Sequence, residues 1–483
     1  LLWATAAVIF AVALFLRFVV LARAPLTDDE SAYLFAAHSL LRGHLWENSP
    51  PLKEFYDRVF LINDGRMHSQ YFLGWPALLA PAVAAGMGDL LNPLLCALTV
   101  FPLARLLERY CRAPAVLAGL AWYAASMTSL VTAATLLAYT SALFFLTWYL
   151  HLVQRLTHDA DAAPRDAALA ALCGSMAFFI RPSAVVMIGA PATLLMLVHL
   201  LRSRPAAGRT LLAPFAGIAA AFATLFLYLN QLIYGNALSN GYDKLSRGYS
   251  DYLLASVTDI GRMLETATAG LQRLTADISG WPLPLLALLA VLLAGRRLWV
   301  FSAALALEFC TCMVMSDLGI DTFGPLHLLE ATTVFILLLS LGMQRLTDAL
   351  APPLHSDGAR VLLSTALGLV IAAWLTYFPL RVLNVGIIAA NVNGPLHLAA
   401  RLPEPSVIFA RRPFVYQNSI APLRHYVFFM PISHPDMNDR VIWANNLGER
   451  NAELLRTLPG RKAYTLEWDD AGRPQLQPYA AAD

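Results

Sequence analysis

Three consecutive carboxylates, Asp28-Asp29-Glu30, stand directly after the first apolar run of the chain. Acids this close repel one another, and in the lower dielectric near a membrane surface they call for a cation, a basic partner or a bound proton. Two kinds of chemistry fit them: a general base that takes a proton from a hydroxyl, or a cluster that binds a metal ion. A purely structural role also fits, because acids in a first helical turn suit the positive end of the helix dipole. Thr27 or Asp28 is the expected cap, and Tyr33, Leu34, Ala37, Leu40 and Leu41 follow at three- and four-residue spacing. The cations available to an anionic group are Lys53, Arg58, Arg66, His68, Arg181, Lys244, Arg247 and His327. Arg181 stands out because it lies between two apolar runs, where a guanidinium without a partner is costly. Asp317 and Asp321 form a second acidic pair, and Trp46, Trp75, Tyr71 and Trp281 are aromatic rings in the segments that carry these polar residues.

The elements that must position these residues are set by composition. Of 483 residues, 58% are hydrophobic and 14% charged, against about 45–50% and about 25% in a soluble domain. The 34 basic and 32 acidic residues leave a net charge of +2, so there is no field to recruit nucleic acid. The chain reads as a polytopic α-helical membrane protein. Its first apolar run is too long for a signal-peptide core and lacks a small-residue cleavage site, so it reads as a retained anchor. The five cysteines have no zinc-ligand spacing and read as small buried hydrophobes.

Apolar runs of spanning length fall near 3–22, 90–108, 114–130, 132–153, 167–181, 183–201, 211–233, 282–295, 298–316, 327–345 and 361–380, about eleven spans. The basic residues order them. Arg105, Arg109, Arg112, Arg155, Arg165, Arg202, Arg204, Arg209, Arg296, Arg297, Arg345 and Arg360 fall on alternate turns, which places those turns and the N-terminus in the cytoplasm. Segments 23–89 and 234–281 and everything after 380 then lie outside. In the first, Asp64-Gly65 predicts a hairpin, and Gly74-Trp75-Pro76 opens a helix expected at the membrane interface with Trp75 at headgroup depth. In the second, residues 251–278 predict a surface-lying amphipathic helix. Residues 381–483 are more polar. Strand-like runs at 406–410, 426–429, 440–444 and 463–468, with a helix near 447–458, predict a small α/β domain distinct from the membrane domain 1–380.

Asp29-Glu30-x-x-Tyr33 at the head of the helix after the first span resembles the first-loop motif of the GT-C glycosyltransferases. In pattern it is similar to the protein O-mannosyltransferases and the lipid A aminoarabinose transferases. Asp64-Gly65-Arg66 with Tyr71, Gly74-Trp75-Pro76, Arg181-Pro182, Asn230…Tyr234-Gly235-Asn236…Gly241-Tyr242 and Gly324-Pro325…Glu330 fit the same layout over residues 1–380. The resemblance implies a GT-C-like bundle at the plasma (inner) membrane that takes a sugar from a polyprenyl-phosphate donor at the outer, periplasmic face. The acceptor would be a lipid, glycan or protein hydroxyl, and the anomeric configuration would invert. It further implies that Asp29, or next Glu30, is the general base. These two would also be the ligands of any divalent cation. Asp28, Tyr33 and the cations named above would serve substrate and phosphate. The chain departs from the family where relatives carry a second acid between the third and fourth spans: residues 126–140 hold none. The competing reading is a transporter or flippase for an amphiphile. That calls for internal repeats and mid-membrane charge, whereas the chain has no repeat and few mid-span charges, Arg17 and Glu308.

Overall fold

The computed structural model describes residues 1–203, 205–245, 258–280, 285–295, 298–319, 323–354, 357–411, 415–417, 424–426 and 430–479. Among them, six helices are long and apolar enough to cross a membrane: Leu2–Val20, Gly88–Tyr110, Pro182–Arg202, Gly208–Tyr234, Leu326–Ala349 and Gly358–Ala400. A bent pair, Ala113–Ala124 and Met127–Ala133, turns by 49° and makes up to seven. The remaining expected spans correspond to helices Tyr139–His158, Pro164–Ile180, Leu285–Ala294 and Trp299–Met315, which stand outside that set.

Helix length decides which residues share an end of the bundle. Tyr139–His158 has 20 residues, so it carries the chain about 30 Å from Tyr139. Pro164–Ile180 then returns it, and delivers Arg181 beside the start of the outgoing helix. At the far end, Arg109 forks onto Asp159 with two bonds of 2.7 Å, and Arg155 reaches Asp166 at 3.1 Å. These are basic residues that the sequence assigns to cytoplasmic turns.

The segment between the first two spans builds the near end. Helix Asp28–Leu41 is capped by Thr27, whose side chain accepts from the Glu30 N–H. The expected hairpin forms with Leu61–Asn63 paired to Arg66–Ser69, and Glu47–Asn48 adds a third strand. Helix Gly74–Ala84 follows. Its placement differs from the expectation: Trp75 is 0% exposed and donates its indole N–H to the Leu136 carbonyl at 2.7 Å, so it is a core anchor rather than an interfacial ring. Gly74 permits this, because a Cβ there would sit 2.5 Å from the Phe179 carbonyl carbon. Of the expected amphipathic helix, Ile260–Ser279 is helical, and residues 251–257 lie outside the described residues.

The last helical run, Gly358–Ala400, is 43 residues long and crosses position 380, where the composition changes. Beyond it a four-stranded sheet runs in the order Val441–Asn445, Ser406–Ala410, Lys462–Trp468, Pro474–Pro478. Its first three strands are parallel and the last is antiparallel. Residues 427–429 of the expected strand at 426–429 lie outside the described residues. One face of the sheet continues the main core, with Phe409 set 6.3 Å from Phe55. Arg58 locks that seam, donating to the Trp443 carbonyl at 2.6 Å and to Asn445 Oδ1 at 3.1 Å.

Candidate functional site

Adjacent residues on a helix point about 100° apart, and Asp29 and Glu30 diverge accordingly. Glu30 is fully buried. Its carboxylate accepts from the backbone N–H of Leu26 at 2.7 Å and of Leu136 at 2.8 Å. Asp29 is partly exposed and its Oδ1 accepts from the Tyr71 hydroxyl at 2.5 Å. Burial raises the Asp29 carboxyl above its ordinary value, while the Tyr71 hydroxyl and the Arg181 charge pull it back. Burial also pushes the Tyr71 phenol well above its ordinary value, so it stays protonated and donates. Asp28 is buried in the first turn.

Tyr71 is held by rings. Tyr33 lies 4.6 Å away, Phe60 5.5 Å and Tyr242 6.1 Å, centroid to centroid. Tyr242 arrives because Gly241 lies against the Gln70 backbone, where a Cβ would collide.

The turn after Met127–Ala133 is bonded at nearly every residue. Arg17 donates to Ala134 O, Asn92 to Thr135 O and Leu137 O, Trp75 to Leu136 O, and Glu30 accepts from Leu136 N. It presents Tyr139, whose ring lies under the Arg181 guanidinium at 3.9 Å and 6.0 Å from the His327 ring. Arg181 forms an ion pair with Glu330, which answers the question its sequence position raises. His327 Nε2 stands 3.9 Å from Asp317. Five loops far apart in sequence thus bring Asp29 and Tyr71, Tyr139, Arg181, Tyr242 and His327 together.

The other sequence candidates are engaged elsewhere. Lys53 pairs with Asp64 at the hairpin tip at 3.4 Å. Arg58 points into the seam with the C-terminal sheet. Arg66 stacks on Trp46 at 4.2 Å and donates to Leu232 O. His68 is buried with its ring 5.5 Å from Tyr234. The Lys244 side chain, Arg247, Asp321 and Trp281 lie outside the described residues. Glu330 entered the sequence reading only as the end of the Gly324-Pro325…Glu330 stretch, not as a partner for Arg181, and Tyr139 was not singled out. The signal for Glu330 was available, since a guanidinium between apolar runs requires an acid and Glu330 is itself an acid leading into an apolar span.

Among the described residues no three His, Cys, Asp or Glu side chains are grouped to hold a metal ion. Each oxygen of Glu30 accepts one backbone N–H, which ties that carboxylate to the turn and to the start of its own helix. An apolar cavity of about 450 Å³ opens among helices Tyr139–His158, Pro164–Ile180, Ala190–Ser203 and Pro205–Tyr234. Phe178, Phe179, Leu194, Phe215 and Phe222 are among its walls, and Phe179 stands two residues before Arg181.

Among solved structures, the chain is similar to ArnT from Cupriavidus metallidurans bound to undecaprenyl phosphate. The TM-score is 0.56 at 13% identity, over 97% of this chain and 93% of that one. The apo state of the same protein gives 0.53 at 12%, over 97% and 92%. The Archaeoglobus fulgidus oligosaccharyltransferase in its apo form gives 0.46 at 11%, over 96% and 69%. No family model matches the chain, and no curated protein matches it in sequence. The likeness to ArnT covers nearly the whole of both chains and shows a shared fold.

Proposed function

We propose that this chain, which has the GT-C fold, is a membrane glycosyltransferase that uses a polyprenyl-phosphate-linked sugar. The observation that carries this reading is a half-buried carboxylate, Asp29, facing the Tyr71 hydroxyl, with the Arg181 guanidinium in its electrostatic reach. ArnT binds undecaprenyl phosphate, and a lipid of that class suits the features here: an apolar cavity of about 450 Å³ for the chain, one wall of which, Phe179, stands two residues before Arg181, the cation for the phosphate.

In this reading Asp29 takes the proton of the acceptor hydroxyl. The acceptor oxygen bonds to the anomeric carbon from the face opposite the phosphate. The carbon–oxygen bond to phosphate breaks, and its electron pair leaves with the lipid phosphate. One displacement inverts the anomeric centre. Arg181 offsets the charge that gathers on the leaving phosphate, and Tyr139 fixes the guanidinium plane from below. Glu30 acts as a positioning residue. The bundle crosses the membrane about eleven times with its N-terminus in the cytoplasm, and the site and C-terminal sheet face the periplasm.

The test is turnover of polyprenyl-phosphate sugars by the purified chain in lipid. Asp29→Asn should lower kcat by about 10²-fold or more, with folding intact by thermal melting. Unchanged turnover in that variant removes Asp29 from the mechanism.

A further inference from the structure

Arg181 serves more buried acid than one guanidinium can neutralise. It pairs with Glu330, which is 0% exposed, and Glu308 of helix Trp299–Met315, 5% exposed, lies within electrostatic reach of both. Among the described residues, the Glu330 oxygens have no donor beyond the Arg181 ion pair and the backbone at Glu330 itself, and Glu308 Oε2 has none. The other ionisable groups facing this pair are Asp29 and Tyr33 from helix Asp28–Leu41, Tyr139, Tyr242, Cys312, Asp317 and His327. Of the acids that reach Arg181, Asp29 is already bonded to Tyr71, and Glu308 makes no ion pair among the described residues. That leaves Glu330 as the anion seated on the guanidinium.

A phosphate entering here, as the proposed function requires, meets Arg181 with its anion partner already in place. If Glu330 remained ionised beside the phosphate, two anions would share one cation in a pocket of low dielectric, where an unpaired charge is costly. A proton resolves this. Two buried carboxyls stand within electrostatic reach of each other, so once the guanidinium is taken by the phosphate, one bound proton removes the charge left without a partner.

We propose that Glu330 holds Arg181 in place of the donor phosphate, and that phosphate binding displaces it with uptake of one proton by the Glu330–Glu308 pair. The guanidinium exchanges a carboxylate for a phosphate oxygen, the proton comes from water, and the net charge of the pocket stays constant. The ion pair then keeps Arg181 extended and pre-aimed in the empty site, and donor loading becomes linked to pH.

The experiment is calorimetric binding of farnesyl methyl phosphate to the full-length protein in lipid nanodiscs, with chelator present, across a pH series. This phosphodiester lacks the second phosphate ionisation, near about pH 6 in monoesters, so its own charge is fixed. Uptake of one proton makes Kd fall about tenfold for each unit that the pH is lowered. Glu330→Gln should bind about tenfold or more tightly than wild type at neutral pH and lose the slope. A flat wild-type profile, weaker binding by Glu330→Gln, or binding that requires an added divalent cation overturns the exchange while leaving the donor reading in place. Absence of binding by the wild type at every pH overturns the donor reading itself, and the exchange with it. The wild-type slope needs no substitution, so a misfolded variant does not disable the test.

Discussion

Asp29 and Tyr71 form a pair whose two partners do different things to one proton. Burial raises the Asp29 carboxyl, and the phenol hydroxyl counteracts part of that rise by donating to the ionised form. A base works only when ionised, so the acid limb of kcat/KM should lie above the ordinary carboxylate value of about 4. Tyr71→Phe removes the donor and should move that limb to still higher pH. A merely structural Tyr71 would lower activity without moving the limb. Stability runs the opposite way. The folded chain holds the Asp29 proton more tightly than the unfolded chain does. The stabilisation is therefore complete below the unfolded value and is lost as pH rises through the raised folded one. Asp29→Asn should accordingly melt no lower than wild type at neutral pH, and higher if the Asn oxygen still accepts from Tyr71. Loss of turnover together with a lowered melting temperature would point instead to a structural Asp29.

The turn at 134–138 shows why an element had to be seen to be understood. Its sequence, Ala-Thr-Leu-Leu-Ala, carries no acid and no cation. Four of its carbonyls nonetheless meet Arg17, Asn92 and Trp75, and one of its N–H groups meets Glu30 across 106 residues. The hairpin at Asp64-Gly65 was legible because its signal is local: a turn dipeptide, with Gly65 at φ 78°, between alternating strands. The acidic triplet was legible as a candidate site, but the different surroundings of its members were not. Which of two neighbours faces the open end depends on how helix Asp28–Leu41 is rolled against the bundle. Trp75 misled for a related reason, since an aromatic ring in an apolar stretch has the same composition at a membrane interface and in a core. If Glu30 is a structural pin, Glu30→Ala leaves two buried N–H groups unsatisfied, each worth roughly 1–3 kcal/mol. Its melting temperature should drop, and turnover should fall in proportion to the folded fraction. A Glu30→Ala protein with wild-type melting and no turnover would make Glu30 a chemical participant instead.

For the whole molecule, the two ends of the bundle carry different polar inventories. The end that holds Asp29, Tyr139 and Arg181 also receives the hairpin and, through Arg58, the C-terminal sheet. About 30 Å away, arginines assigned to cytoplasmic turns pair with one another's acids, Arg109 with Asp159 and Arg155 with Asp166. That separation follows from helix lengths, independently of the count of basic residues from which the orientation was read. The orientation itself can be tested at two exposed acids on opposite ends: Asp64 at the hairpin tip, 92% exposed, and Asp161 between the outgoing and returning helices, 77% exposed. Each makes one surface ion pair, worth about 0–1 kcal/mol, so cysteine at either position should leave the fold intact. In intact cells a membrane-impermeant thiol reagent should label Asp64→Cys and not Asp161→Cys, and permeabilisation should expose the second. Labelling in the reverse order would place the site on the cytoplasmic face, where the lipid-linked sugar reading predicts no chemistry. Equal labelling of both in intact cells would mean that the bundle does not separate two compartments.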